Sequence, residues 1–541
     1  MLKLFPFFLV YLICTNTCLA QKIYFNGKVS LGENQFAQAF VIKENRFVFV
    51  GTNTEALEFK NSSSTVFDLR GKTVIPGLID SHIHAIRAGL GFKHEISLFG
   101  IRSIKEALFK IKNESKRLAR GQWIIIAGGW SESQFIEKRG FTQKELLSVA
   151  NGHPFYVQLN YSKILLSPNA INELNLSNQV ELLSNLMVET RDDGRQTGWY
   201  LGSSRTISRV FDLLPKPTFD DQLKGSIQFF DELIKHGVTG VIDPGGYNLP
   251  LDSYRAIFKL NNHDQIKLRI RFHVCAPSAK SELNDFSEIV TNPNFRVNSK
   301  FLKFNGIGEN VNWAMYNNEN PTEEQKNEMY QILDWANQNQ FPVTIHWNHN
   351  QSVHHLLEVI ERVNSRTSIQ PLRWSIAHLM NASEQSLERM RLLGVGWLVQ
   401  NAFYLNGSVF VKQNGLAESL SVPRVQFAKK SGVQIGAGTD AHRVMGFSPF
   451  QSLQWLIDGK TIEGTQLGDK LERPNRWTAL ALYTQGSAWF SFEENERGQI
   501  KNGFLADAVI LDKDYFTIPV DQIGSIKPVL TLIDGQIIYQ R

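Results

Sequence analysis

The sequence predicts an α/β protein in which parallel strands alternate with helices, flanked on both sides by all-β segments. Between about residues 74 and 490, apolar strand-like runs recur between amphipathic helical stretches, a pattern typical of parallel α/β architecture. The residues before and after this region contain short strands separated by turn residues. With 541 residues, the chain is long enough for more than one domain.

The first twenty residues have the pattern of a cleaved secretory signal. Lys3 precedes an apolar stretch, and Cys18-Leu19-Ala20 places small residues before a cleavage point. The alternative is an uncleaved membrane anchor, but roughly 11 apolar residues fall short of the ~20 that span a bilayer. We therefore expect residues 1–20 to be a signal peptide and the protein to be periplasmic or extracellular. Thr15-Asn16-Thr17 makes lipid anchoring through Cys18 a weaker alternative.

The two all-β segments are predicted to form one composite domain. Residues 22–73 contain short strands with turn signals at Asn26-Gly27 and Glu44-Asn45. Strand patterns return after Glu493, and neither end is large enough to fold comfortably alone. We expect residues 21–75 and 491–541 to pair, and residues 76–490 to form the α/β domain between them.

Composition excludes several classes of protein. Two of the three cysteines fall in the predicted signal, so Cys275 has no partner for an internal disulfide and is expected in the core. The net charge is only +5, without a block of Lys and Arg, which gives no case for nucleic acid binding. We expect a small-molecule substrate and no stable membrane span in the mature chain. The sequence does not predict an oligomeric state.

A metal site is predicted where several strands end. In "LIDSHIH", His82 and His84 point to the same face of a strand, about 6 to 7 Å apart. "VTIHWNH" ends a strand at His346, "WSIAHL" at His378 and "IGAGTDAH" at Asp440. The carboxyl ends of parallel barrel strands meet on one face. Four imidazoles and a carboxylate converging there suit zinc or a related divalent ion.

At these residues the chain resembles the metal-dependent amidohydrolase superfamily, in the branch that includes N-substituted formamide deformylases (the amidohydrolase family 3 type). The resemblance is carried by "VIPGLIDSHIH", "TIHWN", "IAHL" and "GAGTDA", in that order. "WIIIAGGWSESQF", "DGRQTGW", "HGVTGVIDPG", "WTALALYTQGSAWF" and "GQIKNGFLADAVILD" extend it over nearly the whole mature chain.

The resemblance implies a distorted TIM (β/α)8 barrel with a small β-sandwich built from both termini. It implies that His82, His84, His346 and His378 are ligands of one or two divalent metal ions, and Zn²⁺ is the expected metal. It also implies two roles for Asp440, as a ligand and as the catalytic proton shuttle between the attacking water and the leaving amine.

Members of this superfamily with two metals bridge them through a carboxylated lysine or a glutamate. In "FLKFNGIGEN", Lys303 lies on a strand and Glu309 follows six residues later. Lys303 is the preferred candidate, as a carboxylated bridge, because a buried ammonium needs a partner or a modification. The alternative is a lysine whose charged tip reaches water at the barrel rim. Glu309 is the second candidate.

Substrate specificity is expected to reside in an inserted lobe at about residues 90–231, longer than a barrel loop requires. Trp130 and Tyr161 are predicted to contact the substrate from this lobe, and His442, two residues after Asp440, from the barrel. The chain departs from the family pattern where Trp347-Asn348 follows the third histidine, where Tyr161-Ser162 stands in place of an expected histidine, and at Asn305. These departures leave the substrate undefined.

Two classes of function remain from the sequence. The first is an exported hydrolase of a carbon–nitrogen bond in a non-peptide amide, formamide or cyclic amide. The second is a secreted metal-binding barrel without catalytic activity. Asp440 favours the enzyme, since a binding role requires no proton shuttle. The same site would also serve ester or lactone hydrolysis.

Overall fold

The computed structural model describes residues 21–246 and 249–541. The predicted signal peptide, residues 1–20, lies outside the described residues. No helix in the described part of the chain combines the length and the apolar composition that crossing a bilayer requires.

The first described region consists of the short strands that the sequence predicts and one helix that it does not. Asn26 turns the chain at a φ of 58°, a conformation that asparagine tolerates better than most residues. In chain order the elements are β1 (Lys22–Phe25), β2 (Lys28–Gly32), β3 (Gln35–Ala37), β4 (Ala39–Lys43), β5 (Arg46–Gly51), α1 (Asn53–Glu58), β6 (Thr65–Asp68) and β7 (Thr73–Pro76).

A lobe with its own sheet follows strand β8 (Leu78–Asp80) and helix α2 (Ala85–Gly91). Its sheet has the strand order β12-β13-β11-β10-β9. Its elements are α3 (Ile104–Ser115), β9 (Ile124–Ile126), α4 (Gln143–Val149), β10 (Phe155–Leu159), β11 (Lys163–Leu166), α5 (Pro168–Glu173), α6 (Val180–Ser184), β12 (Met187–Thr190), β13 (Gln196–Leu201) and α7 (Ser204–Asp212).

The lobe sheet is covered by apolar side chains on both faces. Ile124 and Ile126 belong to one hydrophobic cluster, and Ile125 belongs to another. Alternate residues of a strand face opposite sides, so a continuous apolar run is what a strand buried on both sides requires.

The α/β region then alternates strands and helices. Its elements are α8 (Phe219–Lys235), β14 (Val238–Asp243), α9 (Arg255–Asn262), β15 (Arg269–Val274), α10 (Glu282–Thr291), β16 (Leu302–Ile307), α11 (Glu323–Gln338), β17 (Thr344–Trp347), α12 (Val353–Asn364), β18 (Ser375–His378), α13 (Glu384–Leu393), β19 (Gly396–Gln400), α14 (Phe403–Leu420), α15 (Val425–Ser431), β20 (Ile435–Gly438), α16 (Pro449–Asp458), α17 (Arg476–Leu482) and α18 (Gln485–Trp489).

The first helix of this region shows why these segments fold as they do. Helix α8 begins after Thr218, whose hydroxyl accepts a hydrogen bond from the Asp221 backbone nitrogen at 3.2 Å. Phe229, Leu233 and Ile234 are buried on one side of the helix. That side packs against α2, so α8 belongs with the helices around the strands. The lobe therefore ends before α8, earlier than the boundary predicted near residue 231.

The eight strands of the α/β region form two parallel four-stranded sheets in a TIM-barrel-like α/β arrangement. Their orders are β16-β15-β14-β8 and β17-β18-β19-β20. Backbone hydrogen bonds link the two sheets at both edges, from Ile307 to Pro342 and from Ser81 to Ala437, each at 3.1 Å. The carboxyl ends of all eight strands therefore lie on one side.

Two further sheets contain the strands of both chain ends. The last strands are β21 (Ala508–Leu511), β22 (Pro528–Ile533) and β23 (Gln536–Gln540). The sheets have the orders β5-β4-β1-β6 and β23-β22-β21-β7-β2-β3, in which Val74 of β7 pairs with Ile510 of β21. Tyr24, Phe40 and Leu532 share one hydrophobic cluster, so residues from both ends of the chain bury each other.

Buried ion pairs connect these sheets to the α/β region. The guanidinium of Arg269, on β15, lies 2.9 Å from Asp507 and 3.0 Å from Asp534. Glu493 lies 2.6 Å from both Arg271 and Arg497. All three carboxylates come from the last fifty residues. The C-terminal segment therefore neutralises Arg269 and Arg271, the two buried cations of β15.

Candidate metal centre

The predicted ligands meet at the carboxyl ends of the parallel strands. His82 and His84 follow β8 and are 0% and 4% exposed, with ring centroids 5.5 Å apart. His346 lies on β17, His378 ends β18 and Asp440 follows β20. The structure thus brings together all five residues that the sequence singled out at strand ends.

Glu309, which follows β16, lies at the centre of this group. Its Oε2 is 3.2 Å from His346 Nδ1, 3.2 Å from His378 Nε2 and 3.4 Å from His82 Nε2. Its Oε1 is 3.4 Å from His84 Nε2. One carboxylate therefore contacts all four imidazoles, which is the position that a bridging ligand requires.

Asp440 lies on the side of His82 and His84, the two histidines that follow β8. Its Oδ1 is 3.2 Å from His84 Nε2 and 3.7 Å from His82 Nε2, and its Oδ2 is 3.9 Å from His378 Nδ1. Two sets of three residues have potential ligand atoms that all lie within 4.8 Å of one another. The first set is His82, His84 and Asp440, and the second is His82, Glu309 and His378.

These donors fit a divalent metal. Both ring nitrogens of His82 are buried and make no hydrogen bond to any described residue, which leaves costly unsatisfied groups. Imidazole nitrogens and carboxylate oxygens are the ligands of zinc and related ions. A cation among them would satisfy the His82 nitrogen that faces Glu309 and compensate two buried carboxylates.

Burial sets the protonation of the imidazoles. Burial lowers the pKa of His346 to about 4 and also lowers the pKa of His82, so both rings are held in the neutral form that binds metals. Burial acts in the same direction on His378, but Glu309 and Asp440 raise its pKa.

The two carboxylates are held ionised. Burial alone would raise the pKa of Glu309, but the surrounding imidazoles of His346, His378 and His82 keep it well below its ordinary value. The pKa of Asp440 is likewise lowered by His84 and His378 against the effect of burial. Both carboxylates are therefore anionic, beside the His82 and His346 imidazoles that burial keeps neutral.

A second layer of contacts orients His84. Its Nδ1 donates to the Gly245 carbonyl at 2.6 Å, so that its Nε2 faces the carboxylates of Glu309 and Asp440. The Gly245 backbone nitrogen donates in turn to Asp243 at 2.9 Å, and Asp243 accepts from Ile86 at 2.8 Å. Asp243, at the end of β14, thereby fixes the loop that carries His84.

Asp80 fixes the seam between β8 and β20. Its carboxylate accepts hydrogen bonds from the Thr439 hydroxyl at 2.6 Å and the His82 backbone nitrogen at 3.1 Å. A Cβ atom on Gly438 would lie 2.5 Å from that nitrogen, so only glycine permits this approach. Asp80 thus holds the strand of His82 and His84 against the strand of Asp440.

His346 and His378 are oriented by their neighbours. The Tyr316 ring stacks on His346 with centroids 4.4 Å apart, and the Asn348 amide lies 3.1 Å from His346 Nε2. The His378 backbone nitrogen donates to Gln400 at 2.8 Å. His378 and Asp440 have φ of 69° and 56°, strained values that cluster at functional sites.

The cluster opens into a cavity of about 580 Å³. His84, Glu309, His346, His378 and Asp440 line it. The remaining walls contain Arg87, Tyr161, Tyr316, Asn348 and Phe403, among other residues. A small molecule in this cavity would contact both carboxylates and three of the imidazoles.

Lys303 does not reach this cavity, and the preference for it as the bridge is corrected. It is the second residue of β16 and pairs with Arg271 of β15. Arg271 contacts Glu493 at 2.6 Å, on the side of the strands away from the cluster. Lys303 is therefore at the amino end of the strand that carries Glu309 at its carboxyl end.

Trp130 is a core residue of the lobe, which corrects its predicted substrate contact. It is 0% exposed, packs against Phe135 and Phe141 and lines neither large cavity. The preceding Gly128 and Gly129 have φ of 120° and 72°. A Cβ on either would lie within 2.3 Å of a carbonyl in the loop after Asp440, so this segment docks the lobe onto that loop.

Of the other predicted substrate residues, Tyr161 lines the cavity and His442 does not. His442 Nε2 lies 2.6 Å from Glu95 Oε2, and its ring packs near Phe229. His442 therefore belongs to a buried polar pair beside the site. Asn305 is also buried away from the cavity, where its amide donates to the Phe490 carbonyl at 3.2 Å.

Sequence reasoning missed Arg87, Asp243 and Asp80. Arg87 follows His84 by three residues and is the only charged residue of α2, a signal that was available in the apolar run "HAIRAGLG". Asp80 and Asp243 end their strands, but a strand-end carboxylate alone does not distinguish a ligand from a residue that orients ligands.

Comparison with known proteins agrees with this geometry. The model of the amidohydrolase family matches residues 65–539. The chain is 22% identical over 533 residues to the N-substituted formamide deformylase of Arthrobacter pascens, covering 94% of this chain and 96% of that protein. A putative amidohydrolase of Bacillus subtilis is 20% identical over 536 residues, with 94% and 97% covered.

Solved structures show the same fold. An uncharacterized metal-dependent hydrolase from Pyrococcus horikoshii aligns with a TM-score of 0.66 at 19% identity, over 93% of this chain and 99% of that chain. Its counterpart from Pyrococcus furiosus has a TM-score of 0.65 at 20% identity, over 92% and 100%.

Proposed function

The chain belongs to the amidohydrolase family, and from that premise we propose that it hydrolyses a carbon–nitrogen bond of a non-peptide amide, formamide or cyclic amide. The observation that carries the proposal is the convergence of four imidazoles, Glu309 and Asp440 on one cavity. A binding protein would require the metal ligands and the cavity, but not an ionised aspartate on the cavity wall.

Glu309 contacts all four imidazoles, so it would serve two ions. We assign His82, His84 and Asp440 to one ion, and His346 and His378 to a second, with Glu309 between them. Zinc is the proposed metal, since these are its preferred ligands. A divalent ion bound there would supply Lewis acidity and would lower the pKa of water from about 15.7 towards 7.

Asp440 is the proposed proton shuttle. Its carboxylate is ionised at neutral pH because His84 and His378 lower its pKa. It lines the cavity, where it would orient the attacking water, accept its proton and deliver that proton to the leaving nitrogen. The products would be a carboxylic acid and an amine, without a covalent intermediate on the enzyme.

The N-substituted formamide deformylase similarity supports formamides as the first substrates to test. Zinc-loaded protein is expected to release formate from a panel of N-substituted formamides, and Asp440→Asn to lose at least about a hundredfold in kcat, the usual worth of a positioned acid–base group. Retention of most of the zinc by Asp440→Asn would separate proton transfer from ligation.

The same assay decides between the alternatives. Hydrolysis of esters or lactones with the amides untouched would replace the proposed bond class. Stoichiometric zinc without turnover of any amide, ester or lactone would identify a metal-binding barrel that has lost its activity.

We also propose that the parallel strands close into a barrel and that the two chain ends form a β-sandwich. The backbone hydrogen bonds at both edges of the parallel sheets support a closed, distorted (β/α)8 barrel. The hydrophobic cluster shared by strands of both chain ends supports a β-sandwich. We expect limited proteolysis to release the lobe before either of these units.

Export is proposed from residues 1–20 alone. Expression of the full chain in a secreting host is expected to yield a periplasmic or extracellular protein that starts at Gln21. Intact mass measurement tests this, and a protein that retains residues 1–20 would contradict it.

A further inference from the structure

Arg87 is a buried cation that faces the catalytic cavity. It lies on α2, three residues after His84, and is 9% exposed. No described residue forms an ion pair or a hydrogen bond with its guanidinium. Its Nε atom is buried and has no hydrogen-bond partner. A buried guanidinium normally has a hydrogen-bonded anionic partner.

Arg87 lies where two cavities meet. The first is the 580 Å³ cavity of the metal centre. The second is a side chamber of about 700 Å³ with apolar walls that include Leu90, Trp123 and Phe211. Arg87, Tyr161 and Ser208 line both, so a molecule that reaches from the metal centre into the side chamber passes the guanidinium.

The other charges of the side chamber have partners. Glu95 contacts His442 at 2.6 Å, Asp221 contacts His94 at 3.2 Å, and Lys216 contacts Asp212 at 3.7 Å. Arg443 stacks on Phe211 with its guanidinium carbon 3.8 Å from the ring centroid. Among these described groups, Arg87 is the cation that lacks a direct partner.

The carboxylates that act electrostatically on Arg87 are engaged elsewhere. Glu309 and Asp440 are within electrostatic reach of Arg87, but the proposed function assigns both to the metal centre. Asp243 accepts two backbone hydrogen bonds, at 2.8 and 2.9 Å. With a divalent cation in place, the charge of Arg87 is left for a group that enters the cavity.

We propose that Arg87 binds a carboxylate of the substrate, and that the substrates are N-acyl compounds bearing a carboxylate close to the scissile bond, with an apolar substituent in the side chamber. This inference rests on the proposed function. A planar guanidinium binds a carboxylate through two parallel hydrogen bonds, and a single guanidinium matches one negative charge better than the nearly two charges of a phosphate.

The test uses a matched pair of ligands, N-formylphenylalanine and its neutral carboxamide. Both have the same formamide and the same ring, so they differ only in the proposed anchor. Binding is measured by calorimetry in zinc-loaded Asp440→Asn protein, which prevents turnover. We expect the carboxylate to bind at least about tenfold tighter than the carboxamide, the usual worth of a charge-assisted hydrogen bond.

Adding Arg87→Met should bring the ratio of the two dissociation constants close to one. Arg87→Lys, which keeps the charge and loses the fork of donors, should leave an intermediate ratio. Lys216→Met is the control, because it removes a cation from the same chamber, and its ratio should stay near that of the parent. Zinc content and circular dichroism report whether each variant is folded.

Equal affinity for the two ligands, binding of neither, or equal loss of both in Arg87→Met would overturn the assignment. The ratio of the two dissociation constants in Asp440→Asn protein is measured without any change at Arg87. Misfolding of an Arg87 variant therefore cannot obscure that result. Turnover is scored separately in protein with Asp440. Hydrolysis of the carboxamide without a carboxylate preference would leave the proposed function standing and remove only this inference.

Discussion

Glu309 organises the site at the scale of single residues. It touches four imidazoles at 3.2 to 3.4 Å, whereas Asp440 lies nearer to His84 than to the other two imidazoles it approaches. Oxygen atoms pointing in two directions allow one carboxylate to serve two ions. We infer that Glu309 sets the number of metals.

Glu309→Gln should therefore change the metal content. We expect about two zinc ions per chain in the native protein and about one or fewer in the variant, because an amide is a poor bridging ligand for divalent ions. Inductively coupled plasma mass spectrometry of desalted protein measures the number of zinc ions per chain. Lys303→Gln is the matched control, and loss of zinc in that variant would restore the lysine as the bridge.

The sequence was sufficient to find five of the proposed ligands, because each ends or follows an apolar strand and parallel strands end on one face. It ranked Lys303 above Glu309 because a lysine in an apolar strand looks unusual. The carboxyl ends face the cavity, but a pattern of residues does not reveal where the strand begins and ends, so it did not show that Lys303 lies near the start of β16 and Glu309 just after its end. Trp130 was misplaced for a related reason, since an aromatic side chain suits a lobe core as well as a pocket wall.

At the scale of elements, Asp80 connects β8, which precedes His82 and His84, to β20, which precedes Asp440. Asp80→Ala would leave the Thr439 hydroxyl and two backbone nitrogens without their acceptor. We expect a loss of roughly 1–3 kcal/mol in the free energy of unfolding, measured by urea denaturation of the metal-free protein.

Asp220→Ala, on the exposed start of α8, controls for removal of a carboxylate and should change stability by less than about 0.5 kcal/mol. Equal effects of the two variants would mean that Asp80 does not hold the seam. Weaker zinc binding by Asp80→Ala is also expected, because partners of ligand-bearing residues orient the ligands.

The alternation of strands and helices was readable because buried parallel strands are apolar throughout and their helices are amphipathic. The residue at which the lobe ends could not be predicted from the sequence. Helix α8 has the same amphipathic pattern whether its apolar face packs on the lobe or on α2, and only tertiary contact distinguishes the two.

At the scale of the whole molecule, Glu493 joins the C-terminal segment to the α/β region. Burial favours its neutral form, but Arg497 and Arg271 lower its pKa well below the ordinary value. A lowered folded-state pKa contributes stability that is fully present above the unfolded pKa, near 4.3, and is lost as the pH falls below it.

Glu493→Gln should accordingly destabilise the protein by about 3 kcal/mol or more at pH 7, since it leaves two buried guanidinium groups without their anion. The difference from the native protein should shrink between about pH 5 and pH 3. Urea unfolding across this range measures it. Glu496→Gln, whose side chain is 58% exposed and paired with Arg46, should change stability little at any pH, and a constant difference for Glu493→Gln would contradict the assignment.

The pairing of the two chain ends was predictable because neither all-β segment has enough apolar residues to form a core alone. The ion pairs beneath the strands were not, since Arg269 and Asp507 are far apart in the sequence and carry no local signal. The class of substrate was not predictable either, because the role proposed for Arg87 depends on the two cavities that meet beside it.

The most direct test is anomalous X-ray diffraction at the zinc edge from crystals of zinc-loaded protein. We expect one peak among His82, His84 and Asp440 and another beside His346 and His378, each about 2.0 to 2.2 Å from its ligand atoms. Glu309 should contact both. Peaks only elsewhere, such as at the exposed cluster of His354, His355 and Glu358, would show that this cavity is not a metal centre.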